Sequence, residues 1–205
     1  MTAKFWDKQA NRYDNAVQKH EADYHKTLAS VRSLISAKDV VLDLGCASGE
    51  YSLELAPLAR SVHGIDTSAN MIALATKKAG DRSIGNATFA VTDVFDRSLA
   101  VRGFTVVLAF NVLHLVEDIR PVLGRIHELL PAGGLFVSQT PCFAEIGFLL
   151  KLLIRAARKV KAMPPMLNFS ARELEAEIAR AGFDIAVSEA WEGKRAIRWI
   201  VARKR

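Results

Sequence analysis

The amino-acid sequence predicts an α/β fold: one doubly wound sheet of seven strands, mostly parallel, with the last strand antiparallel. Three observations lead there. Short apolar runs alternate with segments of helical periodicity from Val40 to Gln139, the pattern of a parallel sheet with helices on both faces. The stretch VVLDLGCASGEYS, Val40 to Ser52, passes from an apolar run through a small-residue loop into a helix start. The last two β-rich runs are separated only by Glu189 to Ala196. That gap is too short for a crossover helix, so the last pair should run antiparallel.

Taken in order, Lys4 to Ser36 reads as helical, with Leu28, Val31, Leu34 and Ile35 at helix spacing. Residues 1–36 thus form a leading extension able to cover a site. Strands are expected at Val40–Leu44, Val62–Ile65, Thr88–Val91, Thr105–Phe110 and Leu135–Gln139, with helices at Glu50–Leu58, Ala69–Ala79 and Ile119–Leu130. Pro131-Ala-Gly-Gly134 stops the last of these before the fifth strand. A further helix opens at Ser170, an N-cap with Glu173 three positions on, and ends at Ala181-Gly182. Phe183–Ser188 and Ile197–Ala202 supply strands six and seven. With no repeat, low-complexity tract or linker, residues 1–205 read as a single domain.

Composition narrows the class. The chain has 205 residues, of which 50% are hydrophobic and 24% charged, as in soluble globular proteins. A net charge of +6 is compatible with an anionic partner, but an excess of this size is ordinary solvated surface. The charged start MTAKFWDKQANRYDN has no apolar core of a signal peptide, and no apolar run reaches about 18 residues. Cys46 and Cys142 are the only cysteines, suiting a reducing compartment and forming no metal-site spacing. A cytoplasmic location and no metal are therefore expected.

The chemistry gathers at strand ends. A strand turning on glycines into a helix lets a ligand approach backbone N–H groups at the positive end of the helix dipole. A dinucleotide fingerprint would need glycines two and five positions after Gly45, where Ala47 and Glu50 stand. Asp43, two residues before Gly45, is placed to bond the amino-acid end of a cationic ligand. Asp66, in HGIDTSANMI, ends the second strand and could accept bonds from ribose hydroxyls. Asp93, in AVTDVFD, ends the third and could meet an adenine amino group, beside Val94 and Phe95. Each carboxylate alone could be a turn or capping acid. Three in register with the glycine loop form a nucleotide-type crevice.

With these residues in view, the chain resembles class I S-adenosylmethionine-dependent methyltransferases, of the small-molecule type related to quinone-ring methylating enzymes. The resemblance covers nearly the whole length. It rests on LDLGCASG, GIDTSANMI, the acid of VTDVFD, FNVLHLVED, LLPAGGLFV, and the AGF before strand six. It implies a Rossmann-like domain with S-adenosyl-L-methionine as cofactor. Asp43, Gly45, Cys46 and Gly49 would surround the methionine part. Asp66, with Thr67 beside it, would hold the ribose, and Met71 would pack on the adenine. Asp93 and Val94 would recognise the adenine edge, and the backbone of Phe110 and Asn111 would lie beneath the sulfonium. Tyr13 resembles the aromatic that closes over the cofactor, the alternative being a tyrosine that docks the leading helix. Where the family often has a middle glycine, this chain has Ala47, which should keep that position at negative φ.

His114, in VLHLVED, is the best-placed general base, the alternative being a histidine that packs or orients a loop. His20, His25, His63 and His127 have weaker claims. Cys142, in QTPCF, reads as a small buried cysteine, because FNVLH lacks the prolyl-cysteine of RNA cytosine-5 enzymes. It also lacks the Asn/Asp-Pro-Pro-aromatic signature of amide or adenine nitrogen methylation, so no nucleic-acid partner is expected. A small, hydrophobic or lipid-like acceptor is, with the protein a monomer or homodimer. Residues 143–169 fall where this family inserts a substrate cap. The basic, apolar stretch 143–161 also suits peripheral contact with a membrane surface. A non-catalytic cofactor-binding protein and an RNA methyltransferase are the alternative functions.

Overall fold

The structure, a computed structural model, describes residues 3–10, 21–145, 147, 164–191 and 194–205. Its seven strands form one sheet in the order β3-β2-β1-β4-β5-β7-β6. They are β1 Val40–Leu44, β2 Ser61–Asp66, β3 Ala87–Val91, β4 Val106–Phe110, β5 Leu135–Pro141, β6 Phe183–Trp191 and β7 Lys194–Lys204. The chain divides into two compact units, residues 2–108 and 109–205.

In the first unit, β1 is flanked by β2 and β4, both parallel to it, with Val41 opposite Val62 and Val106. Residues 41–44 of β1 are buried, as expected of a strand covered on both faces. Helix α1 (Glu21–Arg32) precedes it, and residues 3–10 are also helical. Helix α2 (Glu50–Leu55) ends three residues earlier than expected. Pro57 has no N–H to extend the ladder, so residues 56–58 form a turn instead. Helix α3 (Ala69–Asp81) is capped by Ser68, whose side chain accepts from the Met71 N–H. It buries Met71, Ile72, Ala75 and Ala79, positions that recur at helical spacing.

The second unit contains helix α4 (Ile119–Leu129), capped by Asp118, and helix α5 (Ala171–Arg180), which has the expected capping box between Ser170 and Glu173. β7 runs antiparallel to both β5 and β6. The reversed last strand is as expected, but the connection is tighter. Trp191 pairs with Lys194, leaving only residues 192 and 193 between the strands. Ladder hydrogen bonds continue past the apolar runs, and register shifts after Ile185 and Ala190 absorb the added length. Arg198 of β7 donates to Glu175 of α5 at 2.7 and 2.9 Å, fastening that helix to the sheet.

Candidate functional site

The loop after β1 is stitched to the end of β2. The N–H groups of Gly45 and Cys46 both donate to the Ile65 carbonyl, at 2.8 and 3.0 Å. Gly45, Ala47 and Gly49 all have positive φ, at 71°, 49° and 80°. The expectation of negative φ at Ala47 is therefore wrong. Its N–H donates to Asp66 Oδ2 at 3.1 Å, and this bond accompanies the left-handed turn that alanine adopts only with strain. Gly49 is required twice over. A Cβ there would sit 2.9 Å from Ala75 Cβ and from the Phe89 ring, besides the positive φ.

The three carboxylates expected at the strand ends differ in state. Asp43 is only 2% exposed and accepts from Ser52 Oγ at 2.6 Å. Burial pushes its carboxyl up to about 6; the Ser52 bond opposes the rise and the Asp66 charge adds to it. Asp66 accepts from Ala47 N–H through one oxygen and from Ser68 N–H, at 2.8 Å, through the other. Burial pushes it up too, against those backbone bonds. Asp93 is exposed and closes its own turn, accepting from Phe95 N–H at 2.8 Å. Thr92 N–H donates to the Asp66 carbonyl, which keeps the ends of β2 and β3 together.

The side chains around them divide clearly. Val91 and Phe95, on either side of Asp93, are 53% and 50% exposed, an apolar surface next to a carboxylate. Val94 is buried. Met71 is 1% exposed and lies on the buried face of α3. Cys46 is buried, and burial holds its thiol well above the usual range. The hydroxyl of Thr67 is buried with no partner among the described residues.

In the second unit, Phe110 is buried and stacks on Trp199 with ring centroids 5.9 Å apart. Asn111 follows at φ 54°, its side chain exposed and its N–H bonded to the Gln139 carbonyl at 2.7 Å. His114 lies in a 3-10 turn, Leu113–Leu115, and is 7% exposed. Its ring meets Phe143 edge-on, and its carbonyl accepts from Leu167 N–H at 2.7 Å. Nδ1 is buried without a partner among the described residues, and burial pushes the imidazole down to about 4, so the ring is neutral at physiological pH. Cys142 is fully buried, as expected.

Tyr13, His20 and most of 143–161 lie outside the described residues. Among those described, no three His, Cys, Asp or Glu side chains group as metal ligands, and no helix is long and apolar enough to cross a membrane. Sequence reasoning missed Ser52, Ser68 and Asp7. Ser68 carried a signal, as a serine preceding a helical run; a lone aspartate in a charged leading segment carried none.

This architecture is that of the methyltransferase fold. A model of the methyltransferase domain matches residues 35–203, and the chain belongs to that family. The aklanonic acid methyltransferase of Streptomyces sp. (strain C5) is 26% identical over 141 residues, 67% of this chain and 64% of that one. The ubiquinone biosynthesis O-methyltransferase of Bradyrhizobium sp. (strain ORS 278) is 34% identical over 102 residues, 49% of this chain and 39% of that one. The chain thus spans less than two thirds of the length of these curated relatives. Magnesium protoporphyrin IX methyltransferase from Synechocystis PCC 6803, solved with bound SAH, shares the fold at a TM-score of 0.68 and 20% identity, over 90% of this chain and 84% of that one.

Proposed function

We propose that the protein transfers a methyl group from S-adenosyl-L-methionine to a small, hydrophobic or lipid-like acceptor. The observation that carries this reading is the glycine loop bonded to Asp66, with Asp43 held by Ser52 at the end of β1 and Asp93 just past β3. The residues present fit such a cofactor. A buried carboxylate whose charge is costly would be stabilised by a ligand ammonium, which suits Asp43. Asp66 accepts from Ala47 N–H and Ser68 N–H on its two oxygens, and a carboxylate has lone pairs enough to accept a ribose hydroxyl as well. Asp93 and the exposed Val91 and Phe95 offer an acceptor and apolar contact for an adenine, with the Val94 backbone at its edge. Gly45, Cys46 and Gly49 belong to the loop and Thr67 follows Asp66; Phe110 and Asn111 keep the backbone role that the family resemblance gives them. Tyr13 of the leading extension is assigned to cover the cofactor by the family resemblance alone.

When bound, the cofactor supplies an electrophilic methyl group on a sulfonium. The chain's part is to hold, orient and exclude water from the reacting groups. His114 is the proposed general base. Burial keeps its imidazole unprotonated at neutral pH, at the cost of basicity, and Nδ1 has no partner among the described residues. The relatives, named for aklanonic acid, ubiquinone biosynthesis and magnesium protoporphyrin IX, support a small-molecule acceptor.

Residues 1–205 are read as one methyltransferase domain, with 1–36 as its leading extension and 143–169 as the acceptor cap. Our reading is of a cytoplasmic monomer or homodimer, with the basic, apolar sequence of 143–161 suiting contact with a membrane surface. Asp66→Ala tests the site. It should weaken S-adenosyl-L-methionine binding by about 1–3 kcal/mol through lost hydrogen bonds. Unchanged calorimetric affinity in a folded variant would remove Asp66 from the ribose site.

A further inference from the structure

The helical residues 3–10 are joined to the start of α3 through Asp7. Its carboxylate oxygen Oδ1 accepts from Ser68 Oγ at 2.6 Å and from Asn70 N–H at 3.2 Å. Its carbonyl accepts from Asn70 Nδ2 at 3.0 Å. Ser68 is fully buried, and all of its polar groups engaged here have distinct tasks. Its hydroxyl donates to Asp7 and accepts from Met71 N–H, while its own N–H donates to Asp66 Oδ1. Asp66 in turn accepts from Ala47 of the glycine loop. An unbroken chain of hydrogen bonds therefore runs from the leading segment to the loop, with Ser68 and Asp66 as its two links.

We propose that Asp7 is a positioning residue for the cofactor: by holding the Ser68 hydroxyl it fixes the turn that aims the Asp66 carboxylate at the ribose. This rests on the reading of Asp66 as the ribose acid. The physical basis is the burial of Ser68. Where water cannot replace a lost partner, a hydroxyl deprived of its acceptor turns to another, and the backbone that carries it moves with it. A charged acceptor also makes a stronger bond than a neutral one, so Asp7 outcompetes local alternatives for that hydroxyl. Coupling of this kind is reciprocal. A cofactor that orders Asp66 also favours docking of residues 3–10, so the leading segment closes most firmly when the site is filled.

The test uses the full chain and S-adenosylhomocysteine as probe, read by calorimetry and by amide hydrogen exchange of residues 3–10. Asp7→Ala should weaken binding about 5- to 30-fold and abolish the exchange protection that the probe confers on residues 3–10. Asp7→Asn keeps an acceptor oxygen in place and should stay within about threefold of the parent. A folded Asp7→Ala protein that binds the probe within twofold of the parent overturns the proposal, as does an asparagine variant as damaged as alanine. Ser68→Ala removes the donor instead, and it decides the matter should Asp7→Ala fail to fold: binding within twofold of the parent again overturns the proposal. With both variants folded, the double variant should bind no more weakly than Ser68→Ala alone; additive losses go against it. Asp66→Ala separates the two readings. If it leaves the probe's affinity intact, the ribose assignment itself falls; if it weakens binding and Asp7→Ala does not, only the role of Asp7 does.

Discussion

Asp43 is a carboxylate kept from water, and its pH behaviour follows from that. Its folded-state value of about 6 lies above its ordinary 3.8. A group raised in this way contributes stability that is fully present below the unfolded value and lost as pH rises through the folded one. Ionised Asp43 thus costs the ligand-free protein on the order of 2–3 kcal/mol at neutral pH. Asp43→Asn keeps an acceptor for Ser52 and removes the charge. Urea unfolding should show the variant more stable by about that amount at pH 8 and equal to the parent at pH 3, with S-adenosylhomocysteine binding weakened. Equal stability at pH 8 would show that the buried charge carries no such cost. The same residue shows the limit of sequence reading. An acid before a glycine loop was legible, but its near-complete burial was not, because burial depends on β2 and β4 lying on either side of β1.

At the scale of elements, strand and helix positions agree closely with the sequence pattern, since periodicity and caps are local. The Ser170 capping box and the Gly182 stop are written within a dozen residues of each other. The discrepancies arise where distant groups intervene. Ala47 turns left-handed in a loop bound to Asp66 and to the end of β2, and neither contact is visible in CASG. Gly49 is the sharper case, because a side chain there meets α3 and β3 at once. Gly49→Ala should destabilise the protein by about 2–4 kcal/mol, combining the strain of positive φ with overpacking. Denaturant unfolding measures it, and a loss under 1 kcal/mol would mean that Ala75 and Phe89 yield more easily than their packing suggests.

At the scale of the whole molecule, the open question is the acceptor. Incubation with methyl-labelled S-adenosyl-L-methionine and fractionated cell extract should place label in small molecules, in the lipid-soluble fraction if the acceptor is hydrophobic. Label in RNA, with binding that weakens steeply with salt, would instead give the charge of +6 a function. Cofactor binding with no transfer to any fraction would favour a non-catalytic role.

By itself the sequence determined the fold class, most strand and helix positions and the family, because each is written in residues close together along the chain. Only the tertiary structure decided that β7 lies between β5 and β6, that Asp43 and His114 are buried, that Met71 belongs to the core, and that Asp7 holds Ser68. These depend on which distant segments come together. Hydrogen bonds across some sixty residues and the loss of water around a side chain leave no mark in local spacing.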